Sequence, residues 1–144
     1  MRYFILVFFL VFNLYAGSDD YTRITSEGKL VIDYHKNIAD FYDKVVVNTQ
    51  GGILKSDFLK VVFDSSGKEI EKMIAQGHVF INQREHEAQG DEAVYFAREG
   101  KLVLKGNPII KKGANSYSAD RIIIETRTNK VYFEPSAKIV IKQE

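Results

Sequence analysis

Lys68-Glu69-Ile70-Glu71-Lys72-Met73-Ile74-Ala75-Gln76 is the one stretch of this chain that could pass for a helix, and its reading decides the fold. It is short, and it runs directly into Gly77-His78-Val79-Phe80-Ile81. Across the junction the apolar residues Met73, Ala75, Val79 and Ile81 all share one parity. That period of two belongs to a strand with one buried face, so the stretch is read as strand. The chain then turns near Asn82-Gln83-Arg84 and returns through Ala88, Gly90, Ala93, Tyr95 and Ala97. On the return the parity slips by one at Gly90-Asp91, as a β-bulge or bend would make it. Residues 68–97 are therefore one bent hairpin, and a lone hairpin cannot bury its face.

The same unit occurs on both sides. Twelve residues after each of Val45, Val79 and Pro108 stands an aspartate, namely Asp57, Asp91 and Asp120. Asp43, Gly77 and Gly106 share a position two residues before those anchors, and Ser56, Gly90 and Ala119 precede the aspartates. The first unit puts Ala39, Phe41, Val45 and Val47 on the inner face of one strand and Leu54, Ser56, Leu59, Val61 and Phe63 on that of the next. The third puts Leu102, Leu104, Pro108 and Ile110 against Tyr117, Ala119, Ile122 and Ile124. A truncated last strand runs from Val131 to Lys142. Stacked hairpins bury what one cannot, and β-rich runs punctuated by Gly, Asn, Asp and Ser turns predict an all-β sandwich or barrel. The repeated aspartate at a corner is read as structural, because Asp hydrogen-bonds local backbone amides. The opposite parity, for example Lys101, Lys105 and Lys111, is expected to face solvent.

Ahead of the repeats, residues 18–28 are polar and read as a lead-in. Residues 1–17 are different. Met1-Arg2 precedes an apolar run from Tyr3 to Phe12, and small residues follow at Ala16 and Gly17. A basic start, a short apolar core and a small-residue exit describe a secretory signal peptide, and the run is short for a membrane span. The expected organisation is a signal peptide over 1–17 and one exported domain over 18–144, a size that suits a single core. The chain has 20 Lys and Arg against 19 Asp and Glu, so it has no field to draw in nucleic acid. It has no cysteine, which excludes thiol nucleophiles, disulfides and zinc–thiolate sites.

Nothing marks an enzyme. No G-x-S-x-G elbow or phosphate-binding glycine loop occurs. The histidines are His35, His78 and His86; the last two are assigned to the outward parity, with no spacing that favours a metal. No cofactor or metal is expected.

Several stretches carry a resemblance: Ile32-Asp33 through Asn37-Ile38-Ala39-Asp40-Phe41, Lys55-Ser56-Asp57-Phe58-Leu59, Ile70 to Val79, Ala88-Gln89-Gly90-Asp91-Glu92-Ala93-Val94-Tyr95, Gly106-Asn107-Pro108 and Ser118-Ala119-Asp120-Arg121-Ile122. In this order, behind a signal peptide, they resemble the OstA-like family of envelope proteins. The resemblance implies a slightly open, V-shaped β-jelly roll in the periplasm that carries lipopolysaccharide from inner to outer membrane without chemistry. It implies inner- and outer-membrane transport partners and head-to-tail self-association through edge strands, for which Leu30 to Tyr34 and Lys138 to Lys142 are the candidates. Acyl chains would then meet the inner-face residues Phe41, Val45, Val47, Leu59, Val61, Phe63, Met73, Ala75, Val79, Ile81, Tyr95, Leu102, Leu104, Ile110, Ile122 and Ile124. Lys101, Lys105, Lys111, Lys112 and Arg121 are candidates to meet head-group phosphates at the rim. Two alternatives stand beside this: a membrane-anchored inner-membrane partner of the same fold, and a structural envelope adaptor with a filled core.

Overall fold

Period-two alternation over runs of a dozen residues produces long strands, and the sequence interrupts each of them once. The computed structural model describes residues 22–49, 52–83, 86–128 and 130–142; the expected signal peptide lies outside the described residues. Four long strands dominate: β3 (Ile38–Thr49), β4 (Gly52–Phe63), β5 (Ile70–Gln83) and β6 (His86–Phe96). Around them are β1 (Arg23–Thr25), β2 (Leu30–Asp33), β7 (Lys101–Lys105), β8 (Ile109–Lys112), β9 (Asn115–Ser118), β10 (Arg121–Glu125), β11 (Lys130–Glu134) and β12 (Lys138–Val140). All pair antiparallel in one sheet that does not close. The expected all-β architecture stands, and the stretch from Ile70 is strand.

The interruptions divide the sheet lengthwise into two halves. In the first, the order is β2-β3-β4-β5-β6-β7-β10-β11; in the second it is β1-β3-β4-β5-β6-β8-β9-β12, with β3 to β6 crossing from one half to the other. Register shifts fall between Tyr42 and Val45, Lys55 and Phe58, and Gln76 and Val79. In β6 the partner changes from β8 to β7 across Gly90-Asp91. Two kinds of irregularity make this line. One is the parity slip at the Ser-Asp and Gly-Asp steps that the sequence displays. The other is a pair of consecutive left-handed residues on the neighbouring strand: Asp43-Lys44, Gly77-His78 and Gly106-Asn107, with φ between 47° and 82°. Two extra residues restore the parity, so this second irregularity is silent in the alternation.

The repeat now has a physical cause. A Cβ on Gly77 would lie 2.9 Å from Asp57 Cγ, and one on Gly106 would lie 2.7 Å from Asp91 Cγ. Glycine is required there both for the left-handed backbone and for the aspartate that packs over it. The first unit breaks the rule at Asp43 by exchanging the two partners: a Cβ on Gly28 would sit 2.7 Å from Asp43 Oδ2. Ser56, buried at its corner, donates its hydroxyl to the Phe58 carbonyl at 3.0 Å.

The core is one cluster on the inner face of both halves. Two expectations are corrected. Residues 23–25, inside the presumed lead-in, form β1 and pair with Val46–Asn48; an edge strand held by backbone hydrogen bonds needs little apolar side chain. His86 does not take the outward parity: it pairs with the buried Gln83 on the face shared by Ala88, whereas His78 points to solvent from the bend.

Candidate functional site

The interior face is built from rows of cross-strand neighbours. In the first half one row runs Leu30, Phe41, Leu59, Ala75, Ala93, Leu104, Ile122, Phe133. Beside it runs Ile32, Ala39, Val61, Met73, Tyr95, Leu102, Ile124, Val131. In the second half the matching row is Ile24, Val47, Leu54, Ile81, Ala88, Ile110, Tyr117, Ile139. Each row is apolar from one edge of the sheet to the other. Adjacent side chains on one face of a sheet lie within packing reach, so each row is a continuous apolar track.

The residues expected to line the interior all fall on this face. Val45, Val47, Leu59, Val61, Met73, Ala75, Val79, Ile81, Tyr95, Leu102, Leu104, Ile110, Ile122 and Ile124 are buried in the core cluster, and Phe41 and Phe63 pack half-buried against it. Ala39, Leu54, Ala88 and Ala93, which the parity also places on the inner face, are buried in the same cluster.

The rows end differently from how they run. Large hydrophobic side chains are exposed at Leu30, Val31, Ile32 and Tyr34 on and after β2, at Tyr132 on β11, and at Ile139, Val140 and Ile141 on and after β12. Among the described residues these are the exposed large hydrophobics, and all belong to the terminal strands. Among the described residues β1 and β2 each pair only with β3, β11 only with β10 and β12 only with β9, so two strand edges at either end have no neighbour there. The two edges read from the sequence are confirmed as edges, and β1 and β11 join them. Apolar side chains on an unpaired edge are what proteins ordinarily avoid, unless the edge is used.

Charge is sorted by face. Lys101, Lys105, Lys111 and Arg121 are exposed on the outer face, and Arg121 pairs with Glu134 at 3.2 Å. Lys112 alone of the five candidate rim cations shares the parity of buried Ile110 and lies on the inner face at the rim. On the outer face Lys60 holds Asp40 at 3.1 Å, and Ile74, Val94, Val103 and Ile123 form a half-buried apolar row, so that face is less solvated than expected. At the bend, His78 Nδ1 lies 2.8 Å from Asp57 Oδ2. That hydrogen bond, with the charges of Asp57 and Asp91, raises the His78 pKa above its ordinary 6.5. Among the described residues no group of three or more His, Asp or Glu side chains converges as a metal site would require.

The model of the family described as LptA/(LptD N-terminal domain) LPS transport protein matches residues 23–130. An uncharacterized protein of Rickettsia prowazekii (strain Madrid E) is 22% identical over 125 residues, spanning 83% of this chain and 86% of that protein. The fold is similar to the crystal structure of LptH from Pseudomonas aeruginosa, described as the LptA-homologous periplasmic component of the lipopolysaccharide transport device. The TM-score is 0.73 at 18% identity, covering 85% of this chain and 95% of that one.

Proposed function

The chain belongs to the LptA/LptD N-terminal family of lipopolysaccharide transport proteins, and on that premise we propose that it is an exported, non-catalytic carrier that holds the acyl chains of lipopolysaccharide between the two halves of its folded sheet. One observation supports this above the others: the inner rows are apolar without a break from Leu30 and Ile32 on one edge strand to Phe133 and Val131 on another. An acyl chain moving from water onto such a track gains about 0.8 kcal/mol per buried CH₂. The interior side chains are themselves buried, so a guest chain replaces contacts between the halves with contacts to itself, and the open edges leave the halves joined only along the bend.

The exposed apolar side chains on the terminal strands extend the reading to assembly. A β12 or β11 edge of one copy pairs with a β2 or β1 edge of the next, or with edge strands of transport partners in the inner and outer membranes. Pairing adds main-chain hydrogen bonds and covers the exposed isoleucines. Such a head-to-tail contact does not close on itself and builds a bridge. The domain over 18–144 works in the periplasm after loss of residues 1–17.

The test is a titration of the purified, delipidated mature protein with lipopolysaccharide, with a short-chain detergent as control. Saturable binding of lipopolysaccharide alone is expected. Absence of binding by folded protein transfers the reading to an adaptor with a filled interior, which the full burial of Leu104, Ile122 and Ile124 also fits. A mature N-terminus that retains residues 1–17 would identify a membrane-anchored partner instead.

A further inference from the structure

The two rims of the interior differ in chemistry. At the first-half rim the middle strands close on Phe63, Ile70 and Ala97, which pack against the core, while Asn37 and Thr126 to either side donate to the Asp64 and Gly100 carbonyls. At the second-half rim the same inner face turns polar. Gln83 pairs with His86, His86 with Lys112, and Lys112 with Asn115, one neighbour after another across three strand pairings. All share the parity of Ile81, Ala88, Ile110 and Tyr117, so they form the next row outward on the interior face. Gln83 is 1% exposed, and His86, Lys112 and Asn115 are half-buried.

The middle strands of the opposite rim close with apolar residues, so strand ends in this fold do not by themselves call for a polar row. Lys112 makes no ion pair within 4 Å among the described residues, unlike Lys44, Lys60 and Arg121, which are paired. Asn115 Oδ1 accepts from the Lys142 backbone N–H at 3.2 Å, which leaves its amide hydrogens to donate elsewhere.

We propose that this polar row receives the phosphate-bearing head of the amphiphile, with Lys112 as the cation and the Asn115 amide as its hydrogen-bonding neighbour, both seated on buried Gln83 and half-buried His86. The inference rests on the carrier reading above and adds an orientation to it. The head lies at the second-half rim, and the acyl chains point inward toward the apolar rim of the first half. A cation and an amide donor on one row match the several oxygens of a phosphate monoester.

The experiment uses the full mature protein and two probes: purified lipopolysaccharide, and the same material after phosphatase removal of its lipid phosphates. Lys112→Gln should weaken binding of the phosphorylated lipid about five- to tenfold, the size of one partly exposed charge-assisted contact, and leave the dephosphorylated lipid within about twofold. Lys111→Gln, which loses the same charge from the outer face, should change neither. An equal effect of Lys112→Gln on both lipids, or no effect while the wild type binds, overturns the head-group assignment and leaves the carrier reading intact. Wild-type protein that binds neither lipid overturns both.

Discussion

Ile81→Ala measures whether the interior is a packed layer. Ile81 is 0% exposed, between Leu54 and Ala88 in the inner row of the second half. Replacing isoleucine by alanine removes three carbons, about 2.4 kcal/mol of transfer free energy at about 0.8 kcal/mol each. A packed interior relaxes only partly into the space left, and the cavity brings the total to about 3–4 kcal/mol. A single domain is stable by about 5–15 kcal/mol, so the variant should fold with a large deficit. Neighbouring Ala88 has no side chain long enough to fill the gap, which puts the expected loss toward the upper part of that range. The chain has no tryptophan and 8 tyrosines, so urea unfolding is followed by far-ultraviolet circular dichroism and tyrosine emission. The midpoint should fall with an unchanged slope. A loss below about 1 kcal/mol at the same slope would mean that Ile81 faces open space, and the account of a packed inner row would be wrong. Added lipopolysaccharide should then raise the wild-type midpoint by mass action, since a ligand of the folded state stabilises it.

Three further outcomes are expected. Leu30→Asp and Ile139→Asp place charges on exposed edge positions, so light scattering should show at least about tenfold weaker self-association with the unfolding midpoint nearly unchanged; unaltered association removes these edges from the assembly. Gly106→Ala forces a Cβ onto a backbone with φ of 74° and against Asp91, and should be destabilising by about 1–3 kcal/mol, with Asp91→Gly in the same chain recovering part of the loss; an additive double variant would deny the packing of this pair. The raised His78 pKa means that the His78–Asp57 bond stabilises the fold below about pH 6.5 and loses that contribution as pH rises through the raised value; in Asp57→Asn, an NMR titration should move His78 back toward its ordinary value, and an unmoved titration would show that the pair does not form in solution.

The alternation in Met73, Ala75, Val79 and Ile81 was sufficient to identify strand and inner face, because side chains in a strand alternate whatever the strand pairs with. The Ser-Asp and Gly-Asp slips located the bend for the same reason. The inner-face residues expected to meet acyl chains could therefore be read as a set. Their partners could not. Asp43 stands where the other two units have glycine, and its partner Gly28, on the segment before β2, lies outside the repeat, so the pair is fixed only by the fold. His86 lies on the inner face, against the outward parity expected of it, and counting back from Ala88 by twos reaches it directly.

What the sequence determined by itself was the local layer: strand, turn, repeat, and which side chains face inward, all consequences of a period-two backbone. Tertiary structure alone decided that residues 23–25 form an edge strand, since pairing by backbone hydrogen bonds leaves no mark in side-chain chemistry. It also decided that the exposed hydrophobics gather on the terminal strands, and that Lys112 joins Gln83, His86 and Asn115 on one rim. Those groupings depend on register between strands distant in the chain, which is fixed by the packing of the whole sheet and not by any one strand's pattern.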